Sequence, residues 1–360
     1  MHLGRVIVGV SGGVDSSVAA LLLKEAGYEV IGVTMNISQK GKYRSDINNS
    51  CFSIGGEECI RAAKQACDSI GIEHYAFDCS EEFEQKILAY FSDEYLAGRT
   101  PNPCVHCNRH IKFGLLPEMV KSSGVEFDFY ATGHYARKDV LAGKPRLLRA
   151  KDLKKDQSYF LYNIKKEQLA QHLFPLGDYT KSEIRELAER FGLASANKPD
   201  SQDFYRGERK DLLNVKPRKG KLVLACGRVV GEHSGFWNFT VGQRKGLGVA
   251  YHESLYVLAI DADKNEVIVG THAEGMQHSF ECSRANWLSI PDPMEPIKCG
   301  VKLRSSSNII EGAIVEPIGE NRVRVCLSGE GAHGVAPGQS AVFYDGDVLL
   351  GGATIESSKN

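Results

Sequence analysis

A loop rich in glycine and serine, Ser-Gly-Gly-Val-Asp-Ser-Ser at residues 11–17, has the composition to hold a phosphate group. It follows an apolar run at 6–10, which predicts a strand, and precedes an amphipathic run at 16–25, which predicts a helix. Glycines let the backbone approach a ligand closely, and the N–H groups and dipole of a helix start favour negative charge. No Gly-Lys-Ser/Thr follows the glycines, so the loop is not a Walker A motif. We therefore expect an anion-binding loop of another kind.

A pair of cysteines, Cys104 and Cys107, lies in the run Asn-Pro-Cys-Val-His-Cys-Asn-Arg-His-Ile-Lys at 102–112. Two prolines hold the approach to this pair extended. A helix start and nearby basic side chains lower the pKa of a thiol and favour the thiolate. Such a pair can form a disulfide, carry a persulfide or bind metal. A closed zinc site normally needs four ligands, often from two such pairs, and the chain has one pair.

Six of the other cysteines are expected to fill the core, because free cysteine is among the most buried residue types. They are Cys59, Cys67, Cys226, Cys282, Cys299 and Cys326. The sequence assigns no role to Cys51, which follows a polar loop, or to Cys79, which follows a predicted strand.

The elements that must position these groups alternate between strand and helix from residue 5 to about residue 200. The predicted strands are 6–10, 28–35, 72–77 and 127–132, and the predicted helices are 16–25, 57–70, 81–96 and 180–191. Thr180 and Glu183 have the spacing of a capping box at the start of the last helix. Such alternation predicts an α/β fold with a parallel sheet, which binds ligands beyond the carboxyl ends of its strands. The glycine loop lies at that edge.

Short strand-like runs replace this pattern after about residue 210. They are 221–230, 255–260, 266–269, 297–303, 309–315, 322–327, 340–344 and 347–350. Turn residues at 263–265 and 345–346 separate several of them. We predict two small β-barrel-like domains divided near residue 280. The expected boundaries are 1–208 for the catalytic domain, 209–280 for the central domain and 281–360 for the C-terminal domain.

The composition is that of a globular protein, because 42% of the 360 residues are hydrophobic and 25% are charged. No apolar run is long enough to span a membrane and the N-terminus has no signal-peptide layout, so a cytoplasmic location is expected. The net charge is −1, yet residues 137–221 contain 21 Lys or Arg and 12 Asp or Glu. A basic middle suits a partner with a phosphate backbone, and it equally suits solvated helix faces.

The loop at 11–17 resembles the Ser-Gly-Gly-x-Asp-Ser pattern of the PP-loop ATP pyrophosphatases. Over its whole length the chain resembles one family of that superfamily, the bacterial tRNA-specific 2-thiouridylases. The motifs that carry this resemblance are 11–17, 100–113, 131–135, 155–161, 174–177, 200–202, 241–248 and 337–344. The resemblance implies a PP-loop α/β domain followed by two small β-barrel-like domains.

The resemblance also implies roles for individual residues. The implied ATP contacts are Gly9, Val10, Ser11, Gly12, Gly13, Val14, Asp15, Ser16, Met35 and Gly133. Asn102, Pro103 and Cys104 resemble contacts to the target base, and Cys107 resembles the catalytic nucleophile. The remaining residues that resemble tRNA contacts are His134, Lys155, Asp156, Gln157, Arg304, Ser305 and Gln339.

The reaction implied by the resemblance is thiolation of uridine 34 in the tRNAs for Lys, Glu and Gln. ATP and Mg²⁺ would convert O2 of the flipped-out uridine to an adenylate, and a sulfur nucleophile would attack C2 and release AMP. A cysteine desulfurase and sulfur carriers would supply the sulfur.

The chain departs from the family at two positions. Tyr205 stands where many members have a second catalytic cysteine, the one that carries the persulfide. Either Cys104 and Cys107 carry and resolve the sulfur themselves, or they ligate a [4Fe-4S] cluster that would want a third thiolate from Cys51 or Cys79. Ser305 stands where an aromatic or basic residue is expected, which bears on how RNA is held.

These departures leave alternatives to the leading interpretation. A paralogue would thiolate another RNA position, and a homologue impaired in catalysis would only bind RNA. The intact loop at 11–17 and the presence of Cys107 argue against the second alternative. An amide-forming PP-loop ligase would need neither a basic middle nor two RNA-binding β domains.

Overall fold

A five-stranded parallel sheet organises the N-terminal half of the protein. The structure is a computed structural model that describes residues 3–38, 56–193, 195–196, 204–205 and 209–356. The strands, in the spatial order β3-β2-β1-β4-β7, are β1 (Arg5–Gly9), β2 (Glu29–Asn36), β3 (Glu73–Asp78), β4 (Phe129–Thr132) and β7 (His172–Leu173). Val6, Ile7 and Val8 are completely buried in the central strand, as expected for a sheet covered on both faces. The predicted parallel sheet is confirmed.

Helices connect and cover these strands. The regular helices are α1 (Val14–Glu25), α2 (Glu57–Ile70), α5 (Lys181–Arg190) and α6 (Arg209–Leu213). Helix α3 (80–96) consists of Ser80–Phe83, a π-helical stretch Glu84–Leu88 and Ala89–Leu96, and α4 (103–122) consists of Pro103–Cys107, a π-helical stretch Asn108–Leu115 and Leu116–Ser122. Short 3₁₀ turns lie at Ser158–Leu161, Lys166–Gln171, Phe236–Asn238 and Ala273–Gly275. No helix of the described ranges is long and apolar enough to cross a bilayer.

Local sequence signals account for several of these elements. The helix predicted at 57–70 has those bounds, and α5 begins with the predicted capping box. In that box the backbone N–H of Thr180 donates to Oε2 of Glu183 at 2.6 Å, and the N–H of Glu183 donates to Oγ1 of Thr180 at 3.4 Å. The pairing order reverses at β1, which has β2 on one side and β4 on the other. Ligand crevices of α/β sheets lie at such a reversal, beyond the carboxyl ends of the strands.

The central region forms a four-stranded sheet in the order β10-β11-β8-β9. Its strands are β8 (Gly220–Leu224), β9 (Val229–His233), β10 (Tyr256–Asp261) and β11 (Glu266–Gly270). The single strand predicted at 221–230 is wrong, because Gly227 takes a left-handed conformation with φ +84° and its N–H bonds Leu224 O at 2.8 Å. A tight turn therefore splits the run into a hairpin. Cys226 lies in this turn and is exposed, so its expected burial is also wrong.

A closed six-stranded antiparallel barrel forms the C-terminal region. Its strands, in barrel order, are β13 (Ser279–Trp287), β16 (Arg322–Cys326), β15 (Ile310–Gly319), β14 (Ile297–Lys302), β18 (Ser340–Asp345) and β19 (Val348–Ile355), and β19 pairs with β13 to close the ring. A short pair, β12 (Met276–Gln277) and β17 (Ala332–His333), lies beside it. The α/β class with β-barrel-like regions after the PP-loop domain is confirmed.

A hairpin from the N-terminal half extends the barrel sheet. Strands β5 (Ala136–Leu141) and β6 (Lys144–Arg149) follow β4, and β6 pairs with β19 in the register Leu147↔Leu349. The guanidinium of Arg137 also donates to the carboxylate of Asp347 at 2.7 Å. The sequence predicted no strands here. The hairpin makes the PP-loop region and the barrel parts of one continuous structure.

Candidate functional site

The glycine loop lies between β1 and α1, and its conformation is held by its own serines. The N–H of Ser11 donates to Oγ of Ser16 at 3.1 Å, and the hydroxyl of Ser17 donates to Gly13 O at 2.9 Å. Gly12 has φ +74°, and a Cβ there would lie 2.7–2.9 Å from Ala62 and Ala63 of α2. Only glycine fits this position, because both the backbone conformation and the neighbouring helix exclude a side chain.

The other predicted ATP residues surround this loop at the carboxyl edge of the sheet. Val10 and Val14 are buried beneath it, so only their backbone can face a ligand. Gly133 follows β4, and a Cβ there would come within 2.8 Å of the N atom of Ser16. The hydroxyl of Thr34, near the end of β2, donates to Val10 O at 2.6 Å. The ends of β1, β2 and β4 therefore meet at the loop.

Asp15 is the charged group of the loop and has two partners from distant parts of the chain. The hydroxyl of Tyr135 donates to its Oδ1 at 2.8 Å, and the ammonium of Lys181 donates to the same atom at 2.7 Å. Lys181 is the first residue of α5, and its side chain is 11% exposed. A nearly buried cation therefore lies at the predicted phosphate site, where it complements negative charge. Sequence reasoning missed both partners, although the capping box at Thr180 marked the helix start that carries Lys181.

The cysteine pair lies in the first turns of α4, with Pro103 as the first helical residue. The N–H of Asn102 donates to the hydroxyl of Tyr90 at 3.1 Å. The ring of Tyr90 stacks on His106, between the two cysteines, with ring centroids 3.6 Å apart. Burial lowers the pKa of His106 to about 4, so this imidazole is neutral at pH 7. At neutral pH His106 therefore carries no positive charge that could stabilise a thiolate at Cys104 or Cys107.

Exposure distinguishes the two cysteines. Cys104 is half-buried, whereas Cys107 is 8% exposed and belongs to a hydrophobic cluster shared with α3. Tyr205, at the second-cysteine position, packs against this same cluster. The neighbouring Phe204 ring lies 5.4 Å from the ring of Phe91, which fixes that segment against α3. The structure thus brings the substituted position and Cys107 to one cluster.

The remaining cysteines differ in burial. Cys67, Cys282 and Cys299 are buried, as predicted, whereas Cys59 and Cys326 are half-buried. Cys79 is fully buried, and burial raises the pKa of its thiol to about 12, with Cys107 among the smaller causes. Cys51 and the motif at 200–202 lie outside the described residues. Among the described cysteines there is no disulfide.

The predicted ATP residues and Cys107 come close to one another. Met35, at the end of β2, packs against the cluster that contains Cys107. Tyr130 of β4 lies beside Gly9, where a Cβ would be 3.1 Å from its hydroxyl oxygen. Val105, which lies between the two cysteines, belongs to the same buried cluster as Tyr130. Nucleotide loop and cysteine helix thus meet at one edge of the sheet.

The predicted RNA contacts of the N-terminal half have partners inside the protein. Asp156 is almost fully buried and accepts hydrogen bonds from the N–H groups of Ala150 and Ser158 at 3.0 and 3.2 Å. Oε1 of Gln157 accepts the N–H of Tyr135 at 2.9 Å, which helps to orient the tyrosine that binds Asp15. His134 and Lys155 are half-buried. Contact of these four residues with tRNA stays a prediction.

The predicted RNA contacts of the barrel lie at two places. The guanidinium of Arg304 donates to Val241 O at 3.0 Å and to Gly334 O at 2.8 Å, and so joins the β9–β10 connection of the central region to the C-terminal region. Ser305 beside it is exposed. The amide of Gln339 donates to the backbone carbonyls of Thr100 and Pro101, just before the cysteines. Their contact with tRNA also stays a prediction.

The described residues do not assemble a metal centre by themselves, since no group of three or more His, Cys, Asp and Glu side chains within these ranges could hold a metal ion. A polar cleft between α4 and the barrel is lined by basic, acidic and amide side chains. They include Arg109, Lys165, Lys166, Glu167, Asp292, Asn286 and Asn321. The cleft beside the cysteine helix therefore holds charge of both signs.

Comparison with known proteins places this arrangement in a class. Residues 4–205 match the tRNA methyl transferase HUP domain, residues 210–271 match the tRNA methyl transferase PRC-barrel domain, and residues 277–355 match the aminomethyltransferase beta-barrel domain. Fold and site thus define a HUP-domain protein with two appended β modules.

Relatives over the full length narrow this class. The chain is 43% identical over 357 residues to the tRNA-specific 2-thiouridylase MnmA of Endomicrobium trichonymphae, covering 98% of each chain. It is 46% identical over 363 residues to the tRNA-specific 2-thiouridylase MnmA 1 of Caldanaerobacter subterraneus subsp. tengcongensis, again covering 98% of each. The chain belongs to the tRNA-specific 2-thiouridylase family.

Proposed function

We propose that this protein is a cytoplasmic ATP-dependent sulfurtransferase that makes 2-thiouridine in tRNA, at wobble position 34 of the tRNAs for Lys, Glu and Gln. Its sulfur would come from a cysteine desulfurase or a sulfur-relay protein. The observation that carries the proposal is the meeting of the nucleotide loop with the Cys104–Cys107 pair at one edge of the sheet. Tyr130 lies beside Gly9 and shares a buried cluster with Val105, between the two cysteines, so adenylation and sulfur transfer would act on one base.

The loop at 11–17 suits the triphosphate of ATP. At Gly12 and Gly133 a side chain would collide with neighbouring backbone, so the chain packs closely around the loop. Lys181 supplies a cation beside Asp15. Asp15, with phosphate oxygens of the nucleotide, would hold Mg²⁺, which usually takes one or two carboxylates and phosphate ligands. Bound there, Mg²⁺ would neutralise charge on the departing pyrophosphate. Lys181 and the loop N–H groups would stabilise the same charge.

The sulfur step would run through the two thiols of α4. Cys104 is the more exposed and can receive sulfur from a donor protein as a persulfide. The terminal persulfide sulfur would attack C2 of the adenylated uridine, and AMP would leave. The Cys107 thiolate would then attack Sγ of Cys104, breaking the bond to the transferred sulfur. The products are 2-thiouridine and a Cys104–Cys107 disulfide, which an external dithiol reduces.

A [4Fe-4S] cluster on Cys104 and Cys107 is the second candidate for the sulfur chemistry. It needs a further ligand, and among the described residues no third donor completes such a site. Cys79 has its thiol fully buried with a raised pKa, which disfavours ligation. We therefore derive the sulfur step from the two thiols. Anaerobic reconstitution with iron and sulfide distinguishes the two, since a colourless protein that still thiolates tRNA needs no cluster.

A different RNA target is the second candidate for the substrate. Ser305 is exposed beside Arg304, whose guanidinium is engaged with two backbone carbonyls. Both features favour a mode of RNA binding that differs from the one the family resemblance implies. Mapping of the thiolated nucleoside in the product tRNA distinguishes position 34 from any other position.

The test is an anaerobic assay with ATP, Mg²⁺, a persulfide donor and unmodified tRNA for Glu, in which nucleosides are identified by mass spectrometry. We expect 2-thiouridine from the wild type and from Cys226→Ser, a control at an exposed cysteine far along the chain. Cys107→Ser and Cys104→Ser should each lower the product by about 100-fold or more while tRNA still binds. Thiolation that persists in Cys107→Ser would remove this thiol from the mechanism.

A further inference from the structure

A turn of the C-terminal barrel packs directly on the chain that leads into the cysteine helix. We name residues 336–340 the barrel turn and residues 98–103 the cysteine approach. The N–H of Thr100 donates to Pro337 O at 2.7 Å. The amide of Asn102, which is 7% exposed, donates to the hydroxyl of Ser340 at 3.2 Å. Two regions more than 230 residues apart in sequence thus share backbone and side-chain hydrogen bonds.

Gln339 makes the central contact of this junction. Its Nε2 donates to Thr100 O at 3.2 Å and to Pro101 O at 2.8 Å. Both carbonyls lie within a few residues of Cys104, and Pro101 has no N–H with which to bond in return. One amide group therefore holds two successive carbonyls of the cysteine approach.

The junction leaves no space for the cysteine approach to shift towards the barrel. A Cβ on Gly338 would lie 2.7 Å from Thr100 O and 2.8 Å from Oε2 of Glu94. Glu94 is 5% exposed and is paired with Arg99 through two hydrogen bonds of 2.8 and 2.6 Å. The carboxylate thus supports the cysteine approach from the side of α3.

The barrel turn is itself fixed to the barrel. The N–H of Gly338 donates to Ile355 O at 2.9 Å, and the N–H of Ile355 donates to Gln339 O at 2.8 Å. The hydroxyl of Tyr159 donates to Ser340 O at 3.0 Å. These hydrogen bonds fix the barrel turn, which can therefore serve as a rigid support for the cysteine approach.

We propose that the barrel turn sets the position of Cys104 and Cys107 for sulfur transfer, with Gln339 as the positioning residue. This inference rests on the proposed function of the two thiols. Attack on C2 of a base and the following thiol exchange need aligned atoms, and a displacement of about 1 Å can cost about 100-fold in rate. The resemblance assigned Gln339 to tRNA contact, and in the structure its amide group donates to the cysteine approach.

The test compares Gln339→Ala, Gln339→Lys and the control Gln85→Ala, which makes the same truncation at an exposed residue of α3. Three quantities are measured: the single-turnover thiolation rate at saturating tRNA, the tRNA Kd, and the rate at which iodoacetamide alkylates Cys104 and Cys107 across a pH series. Alkylation uses the protein alone, so it reports on the thiols even if the wild type fails to thiolate tRNA. A failure of the proposed function is thus distinguishable from a failure of the positioning role.

We expect Gln339→Ala to lower the saturated rate by about tenfold or more, with a tRNA Kd within about twofold of the wild type. Alkylation of Cys107 should become several times faster as the approach loosens, with a shifted pH profile. Gln339→Lys should restore both towards the wild type, because an ammonium donates to the same two carbonyls. A raised Kd with an unchanged saturated rate would show instead that Gln339 contacts RNA. Unchanged rates and alkylation would equally overturn the proposal.

Discussion

The ammonium of Lys181 lies 2.7 Å from Oδ1 of Asp15, although 166 residues separate them. Asp15 lies within the glycine loop, in the first turn of α1, and Lys181 is the first residue of α5. Two helix starts therefore converge on the predicted phosphate site and add their dipoles to the charge of Lys181. A site of this kind favours the most negative part of ATP.

Loss of this cation should impair ATP use before it impairs RNA binding. In Lys181→Met we expect AMP and pyrophosphate formation to fall by about 100-fold, because charge on the departing pyrophosphate loses its partner. Lys154→Met, at an exposed lysine of the same region, is the matched control. Pyrophosphate release measured in the presence of tRNA reports the effect. Release within about twofold of the wild type would assign Lys181 to structure alone.

Glycine at position 12 should be required, whereas glycine at position 13 should not. Gly12→Ala places a Cβ against the backbone of α2 at a left-handed φ, so we expect a loss of about 1–3 kcal/mol in the free energy of unfolding and weakened ATP binding. In Gly13→Ala the nearest heavy atom is Oγ of Ser11 at 3.4 Å, an ordinary contact. Urea denaturation and nucleotide titration of both variants test this. Equal unfolding free energies and equal nucleotide affinities in the two variants would contradict the requirement for glycine at position 12.

Tyr205 should act through packing and not through its hydroxyl, because a phenol cannot hold a persulfide. We expect Tyr205→Phe to thiolate tRNA within about twofold of the wild type, since the hydrophobic contacts are kept. Tyr205→Cys introduces a thiol beside the cluster that contains Cys107, so mild oxidation should join it to Cys107 in a disulfide. Peptide mapping without reduction detects that bond. A Tyr205→Phe variant without activity would give the hydroxyl a role in catalysis.

His172 should make the protein sensitive to acid. Burial lowers the pKa of this imidazole from about 6.5 to about 3. Between these pH values the imidazole is protonated in the unfolded chain and neutral in the folded chain. The stability associated with His172 is therefore complete above about pH 6.5 and falls by about 1.4 kcal/mol per pH unit between about pH 6.5 and 3. Urea denaturation across this range measures the slope.

The matched variant is His172→Phe. The ring packs against Phe113 with centroids 4.7 Å apart, and Nδ1 is buried without a hydrogen-bond partner among the described residues. A phenyl ring therefore loses little at pH 7 and removes the proton uptake of the unfolded state. We expect a shallower loss of stability in acid. A slope identical to that of the wild type would mean that other groups titrate in its place.

Short-range signals in the sequence account for the parts of the structure that short-range physics controls. The glycine loop, the capping box at Thr180 and the buried strand at 6–10 depend on neighbours in the chain, and each is where the sequence predicts it. The turn at Gly227 was not predicted because a strand-like run of ten residues fits one long strand or two short ones. Only the left-handed glycine decides between them.

Long-range contacts could not be predicted in the same way. The partners of Asp15 and Gln339 lie more than 100 residues away, and no periodicity relates a lysine or glutamine to a distant carboxylate or carbonyl. The hairpin β5–β6 was not predicted from the sequence for a similar reason. Its strands are half exposed and rich in charge, and their pairing depends on the edge of β19.

The hairpin β5–β6 has a consequence for synthesis of the chain. Leu148 pairs with Val348, so strand β6 leaves the ribosome 200 residues before its partner exists. At a synthesis rate of about 5–20 residues per second, the β6 edge of this hairpin remains unpaired for roughly 10–40 s. During that interval it is a template for pairing with other chains, and the charged residues of β6, such as Arg146 and Arg149, discourage such pairing. The last strand to be made thus closes the barrel and shields the edge that was exposed first.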